Sequence, residues 1–347
     1  MRPLYPAAGW VLYQALRPAA GLIPDRWAAQ AAAIAARANH PEIWRGIDGR
    51  DLVRAWAALV LLNVLLVGAA LLLLHRAFLA LVDRRLALAL AALPALHFDV
   101  VDFLLVPSTE PLNLLLPAVA VYTLAVTWAR GRAGLAGAAV LGFGQLGKGL
   151  AYPVASWAYE WLRGRGVAGP ESASPSLRSR DALAALAAFA APAAFYLLFV
   201  RASGLTVMYP ETEQYRQVVW MLDWIREGRA LDIPLRWGEG LARHALHVLQ
   251  GFWPALLVAL ALLLRRGGRH PALPGGFLHH LAVYTAACAA FWCLVGYLHP
   301  RLAVGQFPLV VMLLGAAAAR ASDRPERWAW GALALMAVAR AAGLFPF

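Results

Sequence analysis

Three acids, Asp99, Asp102 and Glu110, cluster around the start of the stretch VDFLLVPSTEPLNLLLPAVAVYTLAVTWARGR, which opens at Val101 and runs through an apolar segment to two arginines. A capping acid at the mouth of a membrane helix, with two more just before it, puts three carboxylates at one membrane surface, and ionisable groups there tend to have a task. Asp99 and Asp102 are three apart and share a face if the segment is helical. Each also has a plain structural reading. Thr109 and Glu110 complement the N-terminus of the helix that follows, and loop acids are polar by default. Two cations stand in comparable settings. Lys148 lies in LGFGQLGKGLAYP, a glycine-rich turn between apolar segments, where a lysine pairs with an acid or reaches phosphate. Arg301 follows His299 and Pro300 in YLHPRLAVGQFPLVV, where it faces a phosphate headgroup or anchors the helix at the interface. The expected catalytic set is Glu110, Asp99 and Asp102; the expected substrate-binding set is Lys148, His299, Arg301 and Thr109.

Other chemistry-bearing residues carry less. His244 and His247 are three apart on one helical face, but the nearest acid in sequence, Glu239, is off that face, so they read as part of an interfacial amphipathic segment between the belt residues Trp237 and Trp253. His279 and His280 have no Cys or carboxylate at ligand spacing. Cys288 and Cys293, five apart in one apolar helix, point to different faces and read as packing or lipid-facing residues. GFGQLGKG lacks the GK[ST] ending of a phosphate loop. No metal and no cofactor is implied by these residues.

The elements that must position these groups follow from composition. Of 347 residues, 61% are hydrophobic and only 14% charged, and the apolar runs are too long for a soluble core. The fold class is therefore all-α, a polytopic transmembrane helical bundle. Ten candidate spans fall near 52–74, 86–96, 109–128, 133–146, 150–162, 182–200, 252–264, 278–298, 302–319 and 328–345. Four are short, so about nine or ten are expected. The net charge of +12 does not point to nucleic acid, because the arginines gather in short clusters between alternate spans, as the positive-inside rule requires of cytoplasmic loops. The remaining loops, with all the residues of interest, then face the other side of the membrane. The chain divides into an N-terminal interfacial segment, 1–51, with Trp10, Tyr13 and Trp27 touching lipid, and a multi-span domain, 52–347, with a long non-cytoplasmic loop at 201–251.

Four short segments, taken in order, resemble the GPI mannosyltransferase II (PIG-V-like) family and its bacterial relatives, within the GT-C class of membrane glycosyltransferases. They are RPLYP at residues 2–6, PSTEPLNLLL at 107–116, the glycine-rich turn with Lys148 followed by LAYPVASWAYEWL, and HPRLAVGQFPLVV at 299–311. The resemblance implies a GT-C-like bundle in a bacterial-type inner membrane, its site on the periplasmic or extracellular face. It also implies transfer of a mannose-like sugar from a polyprenyl-phosphate donor to an acceptor hydroxyl. The partners implied are that lipid-linked donor and membrane lipids. Glu110 matches the family's acidic helix start and Arg301 its basic position before the penultimate helices, while Lys148 lies near a turn where relatives often carry Thr-Arg. Relatives place a first helix and a Trp-Asp-bearing loop before the Pro-Leu-Tyr-Pro segment, whereas here Met1 almost adjoins it. The expectation is either a start placed too late or a chain that lacks that acidic loop, with Asp48, Asp99 and Asp102 as possible substitutes. The alternative reading is a GT-C-like lipid-binding or carrier protein without catalysis.

Overall fold

The computed structural model describes residues 4–37, 46–106, 111–130, 179–202, 219–264, 275–296 and 300–345, with residues 139, 141 and 159. Across them the chain is an all-α polytopic bundle with no strand among the described residues. Two N-terminal helices, α1 (Leu4–Ala15) and α2 (Asp25–Ala36), pack on α3 (Gly49–Leu79). Asp48 caps α3 by accepting the Arg50 N–H at 2.8 Å. At 1.5 Å per residue α3 is about 46 Å long, more than the hydrocarbon core needs. Its first turns therefore serve as the platform for α1 and α2. Trp10 and Trp27 stay exposed, whereas Tyr13 carries the Arg54 guanidinium 3.8 Å above its ring.

A broken element follows. Asp83 caps α4 (Arg84–Ala92) by accepting the Arg85 and Leu86 N–H groups. The helix tightens into a 3-10 turn over Leu93–Leu96, where Pro94 has no N–H to give, and restarts as α5 (Phe98–Leu105) at an angle of 67°. A break inside an apolar bundle needs partners for the freed backbone groups. Arg340 supplies one by donating to the Leu96 carbonyl at 3.4 Å, and His97 supplies another by accepting the Asp99 N–H at Nδ1, 3.2 Å away.

The rest of the bundle comprises α6 (Pro111–Arg130), α7 (Ser179–Ala202), the short α8 (Val219–Arg226), α9 (Asp232–Leu263), α10 (Gly275–Val295), a 3-10 turn at Pro300–Gln306, α11 (Phe307–Ala321) and α12 (Pro325–Ala341). The core draws on α3 to α7 and α9 to α12, with Phe78, Leu90, Phe103, Leu114, Phe252 and Phe307 among its largest closed-in side chains. Among the described residues four helices are long and apolar enough to cross a membrane, Gly49–Leu79, Asp232–Leu262, Phe277–Leu294 and Leu302–Ala321, and the bent pair α4–α5 adds a broken span. Helices also stand at the positions expected for 109–128, 182–200 and 328–345, as α6, α7 and α12. The expected spans 133–146 and 150–162 fall almost wholly outside the described residues.

One boundary is corrected. The loop expected over 201–251 gives way to helix, because residues 232–251 form the first half of α9 and the expected short span 252–264 is its second half. The charges that hide this helix from a hydropathy window, Asp232, Arg236, Glu239 and Arg243, line one edge of it at helical spacing.

Gly49 sets the seat of α2, since a Cβ there would come within 2.1 Å of the Ala28 carbonyl oxygen. Gly49→Ala is expected to push α2 off α3 and to cost about 1–3 kcal/mol, visible as a lower midpoint of thermal unfolding in detergent. An unchanged midpoint would contradict the contact.

Candidate functional site

Asp99 sits in the first turn of α5, is 1% exposed, and accepts from or shares a proton with His247 of α9, whose Nε2 is 2.6 Å from its Oδ2. His97 Nδ1 lies 3.6 Å from the same oxygen. Because His97 Nδ1 accepts the Asp99 N–H, its hydrogen belongs on Nε2. That atom is buried against Gly251, where a Cβ would come within 1.7 Å of it. The His97 ring is held by Phe98, Phe252 and Phe307, whose ring centroids lie 4.4, 5.2 and 4.3 Å away. A carboxyl, an imidazole in contact with it and a second imidazole alongside can take up a proton and pass it on.

The spacing that puts Asp99 and Asp102 on one face does not give them one environment. Asp102 is exposed, as are Leu105 and Val106 after it. The helix face explains the difference: at about 100° per residue Asp99 falls beside Phe103 and Val100 on the buried side of α5, while Asp102 is turned about 60° away, toward Leu105 on the exposed side. Asp99 is thus the member of the pair placed for chemistry.

A second polar link fixes the chain just beyond. Asn63, 0% exposed in the middle of α3, receives the Tyr5 hydroxyl on Oδ1 at 2.8 Å and donates its Nδ2 to the Val106 carbonyl at 2.8 Å. Tyr5 belongs to the RPLYP segment, and Val106 directly precedes PSTEPLN. One buried amide therefore ties these two segments together.

The third piece is a narrow cleft between α6, α10 and the 300–306 turn, lined by Asn113, Pro117, Cys288, Trp292, Leu302 and Gln306. Its space admits about one water molecule. Asn113 stands one turn beyond Glu110 in sequence, and Gln306 lies in the HPRLAVGQ segment, next to the Phe307 that packs on His97. The 300–306 turn touches α6, α9, α10 and α11, so it joins the cleft to the Asp99–His247 pair.

Of the expected site, Asp99 and Asp102 are placed as above and Arg301 contributes its backbone to the 300–306 turn, while its side chain and residues Thr109, Glu110, Lys148 and His299 lie outside the described part of the structure. The interfacial reading of the α9 histidines is corrected: His244 is buried and His247 meets Asp99 across 148 positions of sequence. Residues not singled out beforehand are Asn63, His97, Asn113 and Gln306. Asn63 carried a usable signal, a lone amide in the apolar run LVLLNVLLVGAALLLL. Cys288 and Cys293 are buried free thiols, and among the described residues no three His, Cys, Asp or Glu side chains converge as metal ligands.

Replacing Asp99 or His247 alone by leucine strands the remaining polar partner in the bundle and is expected to cost about 3–5 kcal/mol. The double replacement should recover much of that loss, which thermal unfolding of the three variants in detergent would show; strictly additive losses would mean that the pair is not coupled. Compared with known proteins, the chain matches no family model, no curated protein and no solved structure.

Proposed function

We propose that the chain is a GT-C-type membrane glycosyltransferase that moves a mannose-like sugar from a polyprenyl-phosphate donor to an acceptor hydroxyl at the non-cytoplasmic face of a bacterial-type inner membrane. The observation that carries this reading is the convergence of segments that resemble that class. Tyr5 of RPLYP is linked through Asn63 to Val106 at the head of PSTEPLN, and Asn113 of that segment shares a cleft with Gln306 of HPRLAVGQ. Beside that cleft a buried carboxyl–imidazole pair is in place.

In the proposed reaction the acceptor oxygen attacks the anomeric carbon, the bond from that carbon to the donor phosphate oxygen breaks, and polyprenyl phosphate departs. The acceptor proton passes to a carboxylate, Glu110 or the Asp99–His247 pair. Arg301 and Lys148 meet the charge that grows on the leaving phosphate. Asn113 and Gln306 present amides to sugar hydroxyls, both as donors and as acceptors. Donor and acceptor are held against each other in a site shielded from bulk water, which suppresses hydrolysis.

A second reading, a lipid-binding or carrier protein on the same bundle, is favoured by the narrowness of the cleft, which as described is too small for a hexose. The two readings separate in membranes supplied with labelled polyprenyl-phosphate sugar. A transferase loses at least about 100-fold in transfer on Glu110→Gln and on Arg301→Ala, the scale of a lost acid–base or charge-stabilising group, with expression unchanged. Unaltered transfer in both variants would remove the site assignment, and counterflow of labelled lipid without glycosylated product would favour the carrier.

A further inference from the structure

We propose that α8 and the residues leading into α9 lie in the plane of the membrane surface, with bilayer lipid as their partner, and brace the 300–306 turn from that surface. The first observation is how α8, VWMLDWIR, divides its residues. At about 100° per residue, Val219, Leu222 and Ile225 occupy one side and Trp220 and Trp224 the opposite side. Trp220 is buried, whereas the three aliphatic residues are about half exposed, at 48%, 49% and 54%. Asp223 falls on the edge between, and Arg226, the last residue of the helix, lies on the aliphatic side with its side chain 78% exposed. A helix resting on water would turn charges outward along its length; this one turns three aliphatic side chains outward, with a single arginine at its end whose long stem carries the charge back to the headgroups, the pattern of an interfacial helix.

The apolar surface does not stop at α8. Leu231 and Leu235 are 82% and 71% exposed, and Leu235 heads a stripe of exposed leucines along α9, at 246, 249, 257 and 260, that recurs at helical spacing. The buried residues of α9, His244, Val248, Gly251, Ala255 and Leu262, lie on the opposite side. Since α9 is long and apolar enough to cross a membrane, its exposed stripe faces acyl chains, and the outer face of α8 continues that surface. This continuity names lipid as the occupant.

Charge agrees. The carboxylates here are taken by arginines: Asp223 by Arg226 at 3.9 Å, Glu227 and Asp232 by Arg229 at 3.6 and 2.8 Å, and Glu239 by Arg243. Arg236 makes no ion pair among the described residues. Its guanidinium lies over the rings of Trp220 and Trp224, 4.7 and 5.1 Å from their centroids, an exposed cation on an aromatic base at the height of lipid phosphates.

The inner side of the same hairpin holds the end of α10. Trp237 donates to the Cys293 carbonyl at 2.9 Å, Trp220 to the Leu294 carbonyl at 3.1 Å, and Arg236 to the Gly296 carbonyl at 3.2 Å. The Leu294 carbonyl is one that a helix C-terminus leaves open, the Cys293 carbonyl also accepts the Gly296 N–H, and Gly296 follows the last helical residue. Gly296 adopts φ +74°, and a Cβ there would meet the Trp220 ring at 2.5 Å. The 300–306 turn begins four residues later. Lipid outside, carbonyls inside and the turn beyond form one mechanical path, which holds whether or not the chain transfers sugar.

The test places a bimane label at Leu222→Cys, Ile225→Cys and, on the polar side, Glu227→Cys, in liposomes of phosphatidylethanolamine and phosphatidylglycerol. The native Cys288 and Cys293 are buried, so the unsubstituted chain reports background labelling. Acyl-brominated lipids should quench the labels at 222 and 225 and place them about 5–10 Å below the headgroup surface, while aqueous iodide quenches the label at 227. Equal access of iodide to all three positions would overturn the proposal in favour of a water-facing hairpin. Protection of 222 and 225 from both quenchers would overturn it in favour of a second protein surface. Neither readout depends on catalysis, so a failed transfer assay and a failed depth measurement remain distinct results.

Discussion

A carboxyl group taken out of water into a bundle of apolar helices costs several kcal/mol unless a donor or cation meets it, and in this protein His247 meets Asp99 at 2.6 Å. Much of the surrounding packing answers to that one contact. It sets the rotation of α9, so that His244, His247, Val248 and Gly251 turn inward together. One turn beyond His247 the chain must carry glycine, because the His97 ring occupies the space of a side chain at 251. Phe98, Phe252 and Phe307 then close a shell of rings around His97. The same shell brings the start of α11, and with it the 300–306 turn, against the buried pair.

The bilayer adds a second constraint, that no backbone group at depth be left without a partner. The bend between α4 and α5 would break that rule at Leu96 and Asp99, and side chains from Arg340 and His97 restore it. Asn63 does the same for Val106, where α5 ends, and the Trp–Arg hairpin does so for the end of α10. These repairs gather at the places where helices stop or bend. Polar side chains that make a broken helix tolerable thereby fix where those helix ends sit in the bundle.

The bundle was legible from apolar runs and arginine spacing, since α3, α10 and α11 carry few charges and follow the rule that a span must be apolar throughout. The start of α9 was hidden because its charges occupy one edge of a helix whose other faces are apolar, a division that a window average erases. Asp99 was visible as a candidate, but its partner was not: His247 lies 148 positions away, and only the folded chain shows that the nearest acid in space differs from the nearest in sequence. Asp102 shares the helix of Asp99 but lies about 60° around it, beyond the side that Val100 and Phe103 bury. The Tyr5–Asn63–Val106 link was half legible, since a lone amide in an apolar span implies a buried partner without saying which.

Purified protein in liposomes, given polyprenyl-phosphate mannose and a lipid-soluble acceptor, tests the central claim most directly when both products are followed. A transferase releases polyprenyl phosphate and forms glycosylated acceptor in equal amounts. Persistent donor with no glycoside, accompanied by exchange of labelled lipid across the membrane, would contradict the account and leave the Asp99–His247 bundle as the scaffold of a carrier.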